Sequence, residues 1–316
     1  LSMLSQSALA QSGSAGSYPD KPVRMVVPQA PGSATDTLAR FLQPDLARQL
    51  GQPVVIDNRP GGALVIGLEN VARSPADGYS IAFAPVGGLA ISPNMVARLP
   101  YDVLRDFQPL GLVARGHMLL AASPSLPVRN VLELIEYARK NPGKLMNASS
   151  GNGTPGQVSG ELFKMMTGID IVHVPYKGGG PMAAAVVANE AQWLIAPAAS
   201  VAGQIKGGRL RALGITSKRR SPLMPEVPTI DEAGVPGYEY TSWNAMFAPR
   251  RTPREIVVRL HGVLQKVLAE PEVRQLYANQ GLSPLGSKSP NDFDKFYHAE
   301  HERVARVVKI AGVKPE

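Results

Sequence analysis

Two short loops hold most of the residues whose types and spacing could do chemistry. In VRMVVPQAPGSATDTLAR (residues 23–40), Val23, Met25, Val26 and Val27 read as a buried strand of β-formers, and Pro28, Pro31 and Gly32 end it. Ser33, Thr35 and Asp36 then offer N-cap oxygens to a helix whose Leu38, Phe41, Leu42 and Leu46 recur at helical spacing. Such a strand–loop–helix unit turns several backbone N–H groups toward one space, at the positive end of a helix dipole. That space suits a carboxylate or a phosphate, although an ordinary βα turn has the same composition. The unit recurs at residues 145–163, where Gly151-Asn152-Gly153-Thr154-Pro155-Gly156 is a literal G-x-G-x-x-G. A dinucleotide site also needs an acid about 20 residues on. The next strand ends instead in Val174-Pro175-Tyr176-Lys177, leaving an NADP site with Lys177 on a 2′-phosphate as the alternative. The loop's N–H groups, with the side chains of Ser149, Asn152 and Thr154, suit a small carboxylate better.

Other motifs carry less. Residues 281–289 (GLSPLGSKS) depart from a phosphate-binding loop by an extra Ser before Lys288, and they follow a helix rather than a strand. His298, Glu300, His301 and Glu302 match no metalloprotease order and read as a solvated helix face. His261 reads as surface, and His173 as a satisfied core or interlobe residue. There is no G-x-S-x-G, and the absence of cysteine removes thiolate chemistry and disulfides. Asp36 caps its helix or hydrogen-bonds a ligand amine or hydroxyl; one acid without a basic or metal partner is a thin case for catalysis. No catalytic residue, metal or cofactor is expected.

These loops need strands and helices in alternation to position them, and the chain supplies that pattern, which is an α/β arrangement with mainly parallel sheets. Strands are expected over 53–57, 79–84, 169–174, 191–195 and 211–216. Helices are expected over 90–97, 130–140, 182–188, 201–207, 253–268, 270–280 and 291–308. Pro44 should kink or split the first helix. Two long apolar strands, 110–122 and 240–248, read as crossings between two lobes: residues 18–122 completed by 247–316, and residues 123–246. The net charge of +8 is scattered and aromatics make up 6%, without basic–aromatic interleaving, so a nucleic-acid partner is disfavoured and a field drawing small anions is the simpler account. Ala8-Leu9-Ala10 before Gln11 has the form of a signal-peptidase site, so residues 1–17 read as the remnant of a secretory signal and a flexible N-terminus. No later run approaches the ~18 apolar residues of a membrane span.

From Tyr18 to Pro249 the chain resembles the substrate-binding receptors of tripartite tricarboxylate transporters, the Bug family of periplasmic proteins. The matching stretches include VRMVVPQAPGSATDTLAR, LGQPVVIDNRPGG, LPYDVLRDFQPLGLVA, NPGKLMNASSGNGTPGQVSGELF, VHVPYKGGGP and SWNAMFAP. The resemblance implies a two-lobed type II periplasmic-binding-protein fold, with a small carboxylate held in the cleft between lobes joined by two crossover strands. The expected protein is a monomeric receptor that docks on integral membrane transporter subunits, with a membrane signalling partner as the alternative. The ligand carboxylate would lie between the loop of Ala30, Pro31, Gly32, Ser33, Ala34, Thr35 and Asp36 and the loop of Ser149, Gly151, Asn152, Gly153 and Thr154. Val86, Gly87, Tyr176, Ala196 and Pro197 would line the rest. Ser33 stands where the family usually has a second glycine, residues 61–65 lack its usual Gly-Gly-Asn, and Gln157 replaces a common His. Ala196-Pro197 replaces a frequent polar pair, which removes acceptors for a ligand amine and favours a plain, aromatic or apolar carboxylate over an amino acid.

Overall fold

The computed structural model describes residues 18–310, so the expected secretory remnant lies outside the described residues. The first half alternates β1 (Val23–Val27), α1 (Ala34–Leu50), β2 (Val54–Asn58), α2 (Val65–Ala72) and β3 (Ser80–Pro85). A strand of 16 residues, β4 (Phe107–Ala122), leads to α3 (Val131–Lys140), β5 (Met146–Ser149), α4 (Pro155–Thr167), β6 (Val172–Pro175) and α5 (Gly179–Val187). Then come β7 (Trp193–Pro197), α6 (Ala198–Lys206), β8 (Arg211–Ile215) and β9 (Thr241–Pro249). The chain closes with α7 (Arg254–Ala269), α8 (Pro271–Asn279), β10 (Leu282–Pro284) and α9 (Pro290–Ile310).

Two parallel sheets are joined by the long antiparallel strand β4, with β9 beside it in the first sheet. β1 pairs parallel with β2 and β3, and β5 pairs parallel with β6 and β7. β4 runs antiparallel to β9 as far as the His117–Thr241 pair, and from Met118 onward it pairs with β7 and β8 instead. One strand therefore belongs to both sheets, and the fold is a two-lobed α/β architecture. Two register shifts between β4 and β9 bend this bridge.

Packing follows from periodicity. Leu38, Leu42 and Leu46 of α1 face Leu260, Leu264 and Val267 of α7 in one apolar cluster. On the other face of the bridging strands, Phe107, Trp243, Phe247, Phe293 and Tyr297 form edge-on and tilted aromatic pairs under α9.

Several local expectations need correction. α1 runs unbroken through Pro44; the bond that Pro44 forgoes would go to the carbonyl of exposed Arg40, where water serves. The helix expected over 90–97 is instead a wide turn, Gly87–Ile91, followed by a tight one, Ser92–Asn94, because Pro93 cannot donate to the turn before it. Glu300 does not share a solvated face with His298 and Glu302. It is buried, accepts from the Trp243 indole at 3.0 Å, and pairs with Arg303 at 2.8 Å and Arg115 at 3.4 Å. The aromatic floor buries an indole N–H that needs an acceptor, and Glu300 supplies it. His261 is buried as well, and its Nδ1 donates to the Leu110 carbonyl at 2.8 Å across the α7–β4 contact. Replacing His261 by Leu keeps the bulk but strands that carbonyl, so urea unfolding should show a loss of about 1–2 kcal/mol. An unchanged midpoint would mean that the bond carries no stability.

Candidate functional site

Between the two sheets lies a cavity of about 110 Å³, reached by the N-termini of four helices. Ser33, Ala34 and Thr35 bring the start of α1; Thr154, Pro155 and Gly156 bring that of α4. Gly178 and Gly179 open α5, and Pro197, Ala199 and Ser200 open α6. Each helix follows a strand that ends at the cleft, so the alternation of the chain itself converges these termini. α4, α5 and α6 begin without a side-chain cap. The N–H groups of Ala34, Thr35, Gly156, Gly179 and Ala199 meet no acceptor among the described residues. Orphan donors of this kind want an external acceptor, and four aligned dipole ends favour an anionic one. The lining contains no Asp, Glu, Lys or Arg side chain.

The first loop is held from behind. Ser33 Oγ accepts from the Asp36 N–H at 3.2 Å and caps α1. The buried Asp36 carboxylate accepts from the Gly32 N–H at 2.8 Å, Arg40 Nε at 2.9 Å and Asn58 Nδ2 at 2.9 Å. Burial opposes its ionisation, but the bonds from Arg40, Gly32 and Asn58 outweigh it and hold the carboxyl below its usual range. Asp36 is thus a clamp turned away from the cavity. Ala30, Pro31 and Gly32 form the exposed turn that it fastens, with the Ser33 N–H spent on the Ala30 carbonyl at 3.1 Å.

The second loop is also folded on itself. The Gly153 N–H donates to Gln157 Oε1 at 2.8 Å, and Thr154 Oγ1 to the Gly151 carbonyl at 2.6 Å. Gln157 Nε2 lies 3.5 Å from His173 Nδ1, and His173 Nε2 lies 2.6 Å from Ser149 Oγ. With the amide donating to Nδ1, the imidazole proton sits on Nε2 and points at Ser149. Gly153 thus has its N–H spent on Gln157, and exposed Lys177 stands outside the cavity. The second loop meets the turn after β3 where Gly87 approaches Gly153; a Cβ on Gly87 would lie 3.2 Å from the Gly153 carbonyl oxygen. Behind them, a Cβ on Gly156 would come within 2.7 Å of the Ile195 carbonyl oxygen, so only glycine lets α4 start so close to β7.

Of the residues expected from the sequence, Ser33, Ala34, Thr35, Thr154, Ala196 and Pro197 line the cavity. Val86 and Gly87 are buried next to the lining residue Pro85, while Ser149, Gly151, Asn152, Gly153 and Tyr176 support the wall without forming it. The floor was not anticipated. His117 of β4 and Ser242 and Asn244 of β9 line it, with Asn244 Oδ1 3.5 Å from Thr35 Oγ1. Ser242 and Asn244, two residues apart and so on one face of the strand, were the available signal.

The chain is similar to several known proteins. The family model described as tripartite tricarboxylate transporter family receptor matches residues 38–313. A structure of an R. palustris protein with adipate superposes with a TM-score of 0.90 at 38% identity, over 95% of this chain and 100% of that one. The periplasmic binding protein BugD gives a TM-score of 0.87 at 32% identity, covering 95% and 100% of the two chains. MatC from Rhodopseudomonas palustris, with bound malate, gives 0.85 at 28% identity, covering 92% and 100%.

Proposed function

Because the chain belongs to the tripartite tricarboxylate transporter receptor family, we propose that it captures a small organic carboxylate in the cavity between α1 and the starts of α4, α5 and α6, and delivers it to the membrane subunits of a transporter. The fold is the type II periplasmic-binding one, and family membership makes the chain a periplasmic receptor rather than an enzyme. The observation that carries the carboxylate reading is a closed set of orphan helix N–H donors around a cavity with no charged side chain. Such a site neutralises an anion with dipoles and hydrogen bonds, and it leaves the ligand chemically unchanged.

We assign residues 18–122 with 247–316 to one lobe and 123–246 to the other, the receptor acting as a monomer. Ala8-Leu9-Ala10 is the proposed export-signal cleavage site. Donors on α1 and on α4–α6 belong to different lobes under this division, so one carboxylate satisfies both sets only when the lobes are closed. Binding then shifts the population toward the closed state.

The lining offers no acid to a ligand ammonium group, with Ala196 and Pro197 at the wall. The ligand is therefore a carboxylate without an amine, and adipate and malate, held by the similar proteins, are the first probes. A ligand at ~100 times its dissociation constant adds about 2.7 kcal/mol, a shift of roughly 5–10 °C in melting temperature. Adipate or malate should produce such a shift and aspartate and glutamate should not. A shift with the amino acids alone would overturn the reading.

A further inference from the structure

His117 is the one titratable side chain lining the ligand cavity. It sits at the end of the β4–β9 ladder, paired with Thr241, immediately before β4 changes sheets. Its imidazole has no hydrogen-bond partner among the described residues, although it is partly buried. Burial alone pushes its pKa below the usual histidine value, so it is neutral at pH 7 in the empty cleft. It also forms part of a second cavity, of about 340 Å³, which shares His117 and Leu282 with the first. Those two side chains are the partition between the chambers. Gly281 packs beside it: a Cβ there would lie in ordinary contact with His117 Nε2, at 3.6 Å, but would come within 2.7 Å of Ala198 Cβ at the start of α6.

The surrounding charges are already engaged. Arg115, on the same strand, pairs with Glu300 of α9 at 3.4 Å. Arg220, across the second chamber, pairs with Glu232 at 2.8 Å. β9 and β10 bring Ser242, Asn244 and Leu282 to the partition and no charged group. An unpaired imidazole in a cavity otherwise lined by apolar and neutral polar groups is therefore free to answer to the ligand.

We propose that His117 reads the second polar group of the bound carboxylate, and that when this group is itself a carboxylate, binding takes up one proton from solvent onto the imidazole. The inference rests on the receptor reading above. The sign follows from linkage. Pairing with an anion raises the imidazole's bound-state pKa above its free-state value, so affinity increases as pH falls through the bound value and levels off below the free one. Each unit of that rise is worth about tenfold in affinity.

Calorimetric titration with adipate, malate and the monocarboxylate hexanoate, in buffers of different ionisation enthalpy at about pH 6 and about pH 8, tests this; carboxylates stay ionised across that range. The dicarboxylate that binds should do so at least about threefold more tightly at the lower pH, with proton uptake. Hexanoate should show neither effect. His117→Asn keeps a polar group but cannot ionise, so it should keep its melting temperature and lose the pH slope. An unchanged slope in His117→Asn, or binding of hexanoate alone, overturns the role of His117 while the receptor stands. If neither protein binds any carboxylate, the receptor reading falls and this inference falls with it.

Discussion

Replacing Asp36 by alanine is expected to cost about 3 kcal/mol of stability, the sum of unequal losses at three hydrogen bonds to one buried carboxylate. Those bonds tie together the exposed turn at Gly32, the second turn of α1 at Arg40 and the end of β2 at Asn58. Asn58 also donates to the Gln29 carbonyl at 3.0 Å, so the clamp reaches the start of the loop that leaves β1. Arg40 is half exposed, and its share is discounted for screening by solvent. The Gly32 N–H and the Asn58 amide lose their acceptor outright. A loss of this size should lower the melting temperature by roughly 6–12 °C. Ligand affinity should fall with it, because Ala34 and Thr35 ride on the turn that Asp36 fastens.

The same variant carries a pH signature. Although burial opposes its ionisation, the bonds from Arg40, Gly32 and Asn58 keep the Asp36 carboxyl below the usual range. A depressed folded-state value means that the stabilisation is fully present above the unfolded value of about 3.9 and is lost as pH falls through the folded one. The gap between the wild type and Asp36→Ala should therefore hold from neutral pH to about pH 5 and shrink below about pH 4. Melting curves across that range check it. Equal melting temperatures at neutral pH, or a gap that persists undiminished in acid, would show that Asp36 is not the clamp.

Much of this architecture was legible in the chain because it rests on local chemistry. Ser33 before the Leu38–Leu42–Leu46 stripe marks the start of α1, and the small residues of the 149–156 loop mark that of α4. The crossing strands were legible as two apolar runs too long for an ordinary turnover of the chain. What stayed hidden depends on partners distant in sequence. Asp36 reads as a capping acid, and nothing nearby announces that Asn58 will meet it. Glu300 sits among charged neighbours, and only the folded position of Trp243 buries it. Ser242, Asn244 and His117 lie in strands whose hydrophobic character masked the polar face that floors the cavity. The expected loop residues Gly32 and Gly153 have N–H groups already spent on Asp36 and Gln157, so the open donors are two or three residues further on, inside the helices.

That shift of the donors into the helices allows a clean separation of binding from folding. Ala34 is the first helical residue after the Ser33 cap, the position where proline is best tolerated because its N–H has no intrahelical acceptor. Ser33 already has the extended backbone, φ −67° and ψ 161°, that a following proline requires. Ala34→Pro should therefore leave the melting temperature within about 1–2 °C of wild type, a stability change of under about 0.5 kcal/mol. It deletes one donor aimed into the cavity. A hydrogen bond to an ionised acceptor is worth about 1.5–3 kcal/mol, or roughly ten- to a hundredfold in dissociation constant. The decisive measurement is the calorimetric affinity of Ala34→Pro for adipate or malate beside that of the wild type, at matched thermal stability. Capture by helix N–H groups predicts at least about a tenfold loss; undiminished affinity in the folded variant would contradict it.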